Sequence, residues 1–341
     1  MYKNGINIRH AELADQEGIL QFIKKHWKED HVFVVHPDLF EYYHVIDGKL
    51  TYVIAEDEHT KEIYGLQGYI ASNRSGNPDV WGAIWKTIPT PAPYPFLGIE
   101  IMMYIRKCVN SRIFAGCGAN PKTTIPLLKF LKEKTGKLNH YYRIADQRDY
   151  RIAEILHKNI IPLSESPKYN LIKFNSIVEL QERFDIEKYK KRKPYKDGWY
   201  INRRYFEHPI NDYQVYGIDK GDHQIDSILI AREQDHNEAK ILRILDFIGV
   251  DTDLVGIGQW IQNVIEERHY EYVDCYCVGI SNEIMNQAGF SLRDETDNNI
   301  IPNYFEPFVK GNIDIYYNTS ENEDFYVFKA DSDQDRPNIK K

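Results

Sequence analysis

Cysteine is scarce in this sequence. Four occur among 341 residues, at Cys108, Cys117, Cys275 and Cys277, and no C-x-x-C pair is matched by a second one, so neither a disulfide framework nor a structural zinc site is expected. Long apolar runs are missing as well. No stretch approaches about 18 uninterrupted apolar residues, and the opening MYKNGINIRHAEL lacks the apolar core of a secretory signal, which predicts a soluble, cytoplasmic protein with no membrane partner. Positive charge is not in excess: the formal net charge is -8 and the pI about 5.9, which disfavours a nucleic-acid partner. No G-x-S-x-G elbow is present to carry a serine nucleophile. Asp331, Asp333 and Asp335 have the opening spacing of a calcium loop, but Arg336 stands where that loop needs glycine. His140 and His157 show no paired spacing either, so no metal is expected.

One apparent nucleotide motif also fails. From Gly116 the chain reads G-x-x-x-x-P-K-T, one residue from a phosphate-binding P-loop. Pro121 occupies the position where glycine must donate a backbone N–H, and proline has none. What the chain does have is apolar residues enough for a core, 42%, in one large domain or two of about 150 residues. The 25 tyrosines read first as packing and interface residues.

Apolar periodicity divides the chain in two. Charge is dense and periodicity fades in VELQERFDIEKYKKRKPYKDG, which reads as a linker over 178–198 between an N-terminal unit, 1–177, and a C-terminal unit, 199–341. In the first unit INIRHAEL is strand-like, Asp15 caps an amphipathic helix in ADQEGILQFIKKHW, and HPDLFEYYHV opens a second helix at His36. LTYVIAEDEHTKEIYGLQGYIA alternates around a polar turn as a hairpin does. DVWGAIWKTI, FLGIEIMMYIRKCV, SRIFAGCG, KTTIPLLKFLKEKTG and LNHYYRI then alternate strand and helix, with the last helix starting near Pro121 and stopping at Gly136. The second unit repeats the later part: a hairpin in DYQVYGID and QIDSILIAREQ, a strand KILRILDFIG, a helix GIGQWIQNVIEERH, a strand EYVDCYCVG, and a helix SNEIMNQAGF ending at Gly289. The fold class expected is α/β with mixed sheets, in two tandem units.

This β-α-α-β-β-β-α-β-α-β order resembles the acyl-CoA-dependent N-acetyltransferases of the GNAT superfamily. The residues that carry the resemblance are the hairpin TYVIAEDEHTKEIYGLQGYI and the closing NQAGF, with FLKEKTGKL in the corresponding place of the first unit. With HPDLFEYYHV early, ILRILDFIG in the middle, and IIPNYFEPF and FKADSDQDRPN late, the chain is similar to tandem-GNAT N-acyltransferases of nucleotide-linked (dTDP or UDP) amino sugars, such as those of anthrose and other surface polysaccharide synthesis. The resemblance implies acyl-CoA as co-substrate, its pantetheine arm inserted between two splayed parallel strands whose edges offer unpaired backbone groups. In the first unit those strands would be DVWGAIWKTI and SRIFAGCG, with Trp85, Lys86, Leu97, Gly98, Gly116, Cys117, Asn120 and Lys122 around the co-substrate. In the second they would be KILRILDFIG and EYVDCYCVG, with Asp246 as the acid and Gly256 and Gly258 at the pyrophosphate. Both pyrophosphate loops depart from R/Q-x-x-G-x-G/A. The second has Asp253 where a basic or amide residue belongs, and Gly256 and Gly258 also read as a plain strand–helix turn.

Acyl transfer to an amine needs the neutral amine in line with the thioester, a donor for the oxyanion and a path for the proton. Because positioning can dominate, a strong base is optional. By the resemblance, Asp79 would hold or deprotonate the amine, with Ser72 nearby. His36 would contact the acceptor, and Asn303, Tyr304 and Phe305 would line the nucleotide-sugar groove. Each also has a plainer reading: Asp79 as a strand-start carboxylate after SGNP, His36 as the cap before Pro37, and 303–305 as a packed aromatic loop. Two other functions fit the same order of elements. A Fem-like aminoacyltransferase is weakly echoed by KYKKRKPYK, and a non-catalytic tandem that binds a sugar or protein would explain both imperfect loops. Oligomeric state is open.

Overall fold

The computed structural model describes residues 2–221, 225–321 and 323–338. A two-residue strand at Tyr2–Lys3 pairs with β1 (Ile6–His10), which leads into α1 (Gln16–His26), whose Ile19, Phe22 and Ile23 recur at helical spacing and are buried, with Lys24, Lys25 and His26 in the last turn. Arg9 on β1 fixes this junction by pairing with Asp15 (2.6 Å) and with Glu56 (2.8 Å). A short helical turn at Val32–Val35 precedes α2 (Pro37–His44), which has His36 at its N-cap and Pro37 in its first turn. The expected hairpin is β2 (Tyr52–Asp57) and β3 (Ile63–Ala71). Next come β4 (Asp79–Thr87), α3 (Leu97–Val109), β5 (Ile113–Cys117), α4 (Thr124–Phe130), β6 (Lys134–Lys137) and β7 (Asn139–Ile144). Covered on both sides, β2 is apolar from Tyr52 to Ala55: Tyr52 and Ile54 pack with α1 and α2, Val53 and Ala55 with α3.

The second sheet begins with β8 (Asn170–Phe174), followed by α5 (Ile177–Arg183), and continues with the hairpin β9 (Gln214–Asp219) and β10 (Ile225–His236). The chain then runs through β11 (Ala239–Ile248), α6 (Gly258–Arg268), β12 (Tyr270–Val278), α7 (Asn282–Gln287) and β13 (Ser291–Arg293). A small hairpin follows, β14 (Tyr304–Phe305) with β15 (Phe308–Val309), then β16 (Tyr316–Thr319) and β17 (Val327–Phe328). Gly289 ends the turn after α7 with φ +87°, a backbone conformation that side chains resist.

Two sheets result, and they exchange strands. One runs β1-β2-β3-β4-β5-β16-β6, the other β8-β9-β10-β11-β12-β7-β13, with β17 also on β12. Thus β7, from the first half of the chain, pairs antiparallel with β12 (Tyr141 opposite Cys275), while β16, from the end of the chain, slots between β5 and β6 (Asn318 opposite Gly116 and Thr135). A boundary at 177 therefore follows the chain but not the sheets.

The segment 178–198 is not an open linker. Leu180, Phe184, Ile186 and Tyr195 are buried in the second core against Tyr200, Val215 and Leu245. Their apolar side chains are too widely spaced among charges to register as a periodic run. The helix expected to reach Gly136 instead begins at Thr124 and ends at Phe130. Lys134–Lys137 is extended because β16 offers it a ladder, which no local preference reveals.

The candidate acyl-CoA cleft

Strands β4 and β5 run parallel only from Asp79 opposite Ile113 to Gly82 opposite Gly116. Beyond that pair β4 continues to Thr87 and the two strands part. The gap opens into a cleft of about 500 Å³ between the two sheets. On the first-unit side its wall includes Gln67, Ala83, Trp85, Gly116, Cys117 and Asn120. Gln67 is 3% exposed, and its Oε1 has no hydrogen-bond partner among the described residues. Asn120 serves its own turn, accepting from the N–H groups of Lys122 (2.8 Å) and Thr123 (3.2 Å). Burial drives the Cys117 thiol far above the usual range, so it packs as a small apolar group.

The opposite wall comes from the second unit and the chain's tail. Asn303, Tyr304 and Phe305 line it, together with Arg232, Arg243 and Lys329. Arg243 sets the position of the 302–304 loop. Asp274 holds its guanidinium through two 2.8 Å bonds, and it donates to the carbonyls of Pro302 (2.9 Å) and Asn303 (2.7 Å). His140 on β7 bonds the same carboxylate at 3.0 Å and stacks on Tyr276, so the exchanged strand takes part in shaping the cleft. Burial lowers the His140 pKa to about 4, leaving a neutral ring, while Asp274 is held below the usual carboxylate range by Arg243 and His140 against the effect of its own burial.

In the second sheet the equivalent gap is closed. The parallel ladder of β11 and β12 ends at Ile244 opposite Cys275. Beyond it β17 pairs with β12 at Cys277 and Val278, and the N–H of Ala330 donates to Leu245 O at 3.1 Å, so the tail fills the space between the strands. The would-be pyrophosphate turn is filled too. A Cβ on Gly256 would lie 2.1 Å from the Tyr169 ring, and one on Gly258 2.9 Å from Ala288 O. Asp246 is buried and bound to Lys196 at 2.5 Å. This corrects the alternative second-unit site at Asp246, Gly256 and Gly258: all three are packing residues around an occupied gap.

The proposed catalytic pair is corrected as well. Asp79 is fully buried, and its carboxylate accepts from Arg112 Nε (2.7 Å), from Arg112 Nη2 and from the Tyr195 N–H (2.6 Å). Ser72, equally buried, donates to Tyr195 O at 2.7 Å. Both tie the first sheet to the 190–197 segment, and neither is among the residues that line the cleft. Five other expected residues also lie off its wall. Leu97 is a core residue, Gly98 packs under the Trp85 indole, and Lys86 and Lys122 are not among the lining residues. His36 stands at the N-cap position of α2 without a side-chain cap bond, and it is not among the residues that line the cleft. Arg232, Arg243, Gln67 and Lys329 were missed. An arginine inside an otherwise apolar strand, as in ILIAREQ and KILRILDF, was the available signal, since such a charge is buried only with a partner.

No family model and no curated protein matches the sequence. Two packed α/β units, one with an open gap between parallel strands, define the class of fold, and solved structures share it. A GCN5-related N-acetyltransferase from Anabaena variabilis aligns over 92% of this chain and 72% of its own, with 10% identity and a TM-score of 0.54. A conserved Enterococcus faecalis protein, described as a probable N-acyltransferase, gives the same coverage and TM-score with 8% identity. The chain has the GCN5-related N-acetyltransferase fold, in two packed units. Among the described residues no helix is long and apolar enough to cross a membrane.

Proposed function

We propose that this protein transfers an acetyl or other acyl group from acyl-CoA to the amine of a nucleotide-linked amino-deoxy sugar. One observation carries the reading: the gap between β4 and β5 opens onto the cleft, while its counterpart in the second sheet is filled by β17. The residues suit the pantetheine arm. Backbone on β4 from Ala83 onward lies beyond the last β5 pairing, Gly116 presents no side chain, and the orphaned Gln67 Oε1 is an acceptor for an amide N–H. Acyl-CoA brings an already activated carbonyl. The chain's own residues then have to exclude water, orient the amine from the 303–305 side and hold it in line, a positioning task that needs no strong base. The acceptor class rests on the sequence resemblance, and the aromatic side chains of Tyr304 and Phe305 on the cleft wall suit a nucleotide base.

Calorimetry with CoA tests the first step, and thiol release from acetyl-CoA with a panel of dTDP- and UDP-amino sugars tests the second. Absence of CoA binding sinks the proposal. Binding without release in the presence of any amino sugar removes the acceptor class.

A further inference from the structure

Four carboxylates line the cleft, and each already has a partner: Asp335 binds Arg232, Asp333 binds Arg336, Asp314 binds Lys137 and Arg293, and Glu306 accepts from the Asn338 N–H. Lys329 is 3% exposed and Asn303 2%. Both face the cavity, and the Lys329 Nζ lies 5.8 Å from the Tyr304 ring centre. The neighbouring cations are satisfied: Arg243 by Asp274, and Arg232 by Asp335 at 3.0 Å, a carboxylate that also accepts from Tyr213 at 2.9 Å. Among the described residues Lys329 has neither an ion pair nor a hydrogen bond, and Asn303 Nδ2 is buried with no partner. An ammonium and an amide NH₂ together offer only donors. Leaving a buried donor unmet forfeits the solvation it had in water with nothing in return. A hydroxyl would satisfy the hydrogen bonds but not the charge.

We infer that this end of the cleft is a binding site for an oxyanion, a phosphate or carboxylate carried by the amine substrate, held by Lys329 Nζ and Asn303 Nδ2. Assigning the oxyanion to the acceptor rests on the acyltransferase reading; the site itself does not. The electrostatic surroundings agree. Burial lowers the Lys329 pKa to about 8, Arg243 and Arg232 push the same way, and Asp335 and Cys117 oppose them. An anion at Nζ reverses this by favouring the charged form. Phosphate and carboxylate share the required chemistry, and the site distinguishes them only by what fits.

The test is trace labelling of the full chain with acetic anhydride near pH 8, without CoA, following the Lys329 peptide by mass spectrometry. Pyrophosphate, uridine diphosphate and succinate are the probes. At pH 8, an oxyanion that raises the ammonium pKa from about 8 by one unit leaves about five-fold less free amine, so labelling slows about five-fold and saturably. Slowing by pyrophosphate and uridine diphosphate supports the site and a diphosphate-bearing acceptor. Slowing by succinate alone supports the site and replaces the diphosphate with a carboxylate. No slowing by any probe overturns the inference. In a second arm, Lys329→Gln should lose pyrophosphate binding in calorimetry while still binding CoA. Retained pyrophosphate affinity would count against the site, and CoA binding measured on the same samples reports on the acyltransferase reading separately.

Discussion

Replacing Asp79 by alanine separates a structural carboxylate from a catalytic one. The substitution removes three hydrogen bonds, two from Arg112 and one from the Tyr195 N–H, and leaves that buried N–H unmet. Breaking a buried charged pair costs about 3–5 kcal/mol. The lower end applies, because the Arg112 side chain is 33% exposed and retains the carbonyls of Lys190 and Arg192. A chain of 341 residues has an unfolding entropy of about 0.7 kcal/mol per kelvin, so about 3 kcal/mol corresponds to a melting temperature lower by roughly 4 °C. Scanning calorimetry reads that shift. CoA affinity should be unchanged, and in a double-mutant cycle with Arg112→Ala the two losses should be strongly non-additive. A melting temperature within about 1 °C of the parent, combined with abolished acyl transfer, would refute the structural role and return Asp79 to the chemistry.

Ala83→Trp places an indole in the gap between β4 and β5, and CoA affinity should fall at least about ten-fold, or 1.4 kcal/mol, with the circular dichroism spectrum preserved; unchanged affinity would move the co-substrate elsewhere. Lys196 sits between Asp246 (2.5 Å) and Asp331 (2.7 Å). Lys196→Met strands two buried carboxylates at a cost of about 4 kcal/mol, and hydrogen exchange at Ala330 should accelerate as the tail leaves the second sheet. His44 and His140 are buried and neutral, with pKa lowered to about 3 and about 4. The unfolded chain therefore binds more protons than the folded one from about pH 6.5 downward, so these two rings lose stability as pH falls, about 2 kcal/mol each at pH 5. Asp331, raised to about 6 by burial, contributes the opposite trend. His140→Asn should flatten the fall in urea midpoint between pH 7 and 5, and an unchanged slope would show the ring to be charged.

Much of the architecture was legible because it is local. The 3.6-residue spacing of Ile19, Phe22 and Ile23, the alternation on either side of Asp57–Ile63, and Gly289 after α7 each report a conformation through neighbours in sequence. So did part of the cleft: Trp85, Gly116, Cys117, Asn120 and Asn303–Phe305 all line it. Asp79 and Ser72 were misleading, because the partner that binds them both, the Tyr195 peptide, lies more than a hundred residues away.

Sequence alone thus determined most element types, the two-unit order and the first-unit strands that flank the gap, since periodicity and turn chemistry act over a few residues, but not the strand at Lys134–Lys137 or the packed 178–198 segment. Tertiary structure alone decided which gap stays open. That choice depends on β17 reaching β12, on β16 and β7 crossing between sheets, and on which cations find carboxylates. All of these are pairings between distant segments, whose energies no single stretch of chain contains. They leave Lys329 without a carboxylate at the edge of the cleft, a feature invisible in FKADSDQD until Asp331 and Asp335 are seen to be bound by Lys196 and Arg232.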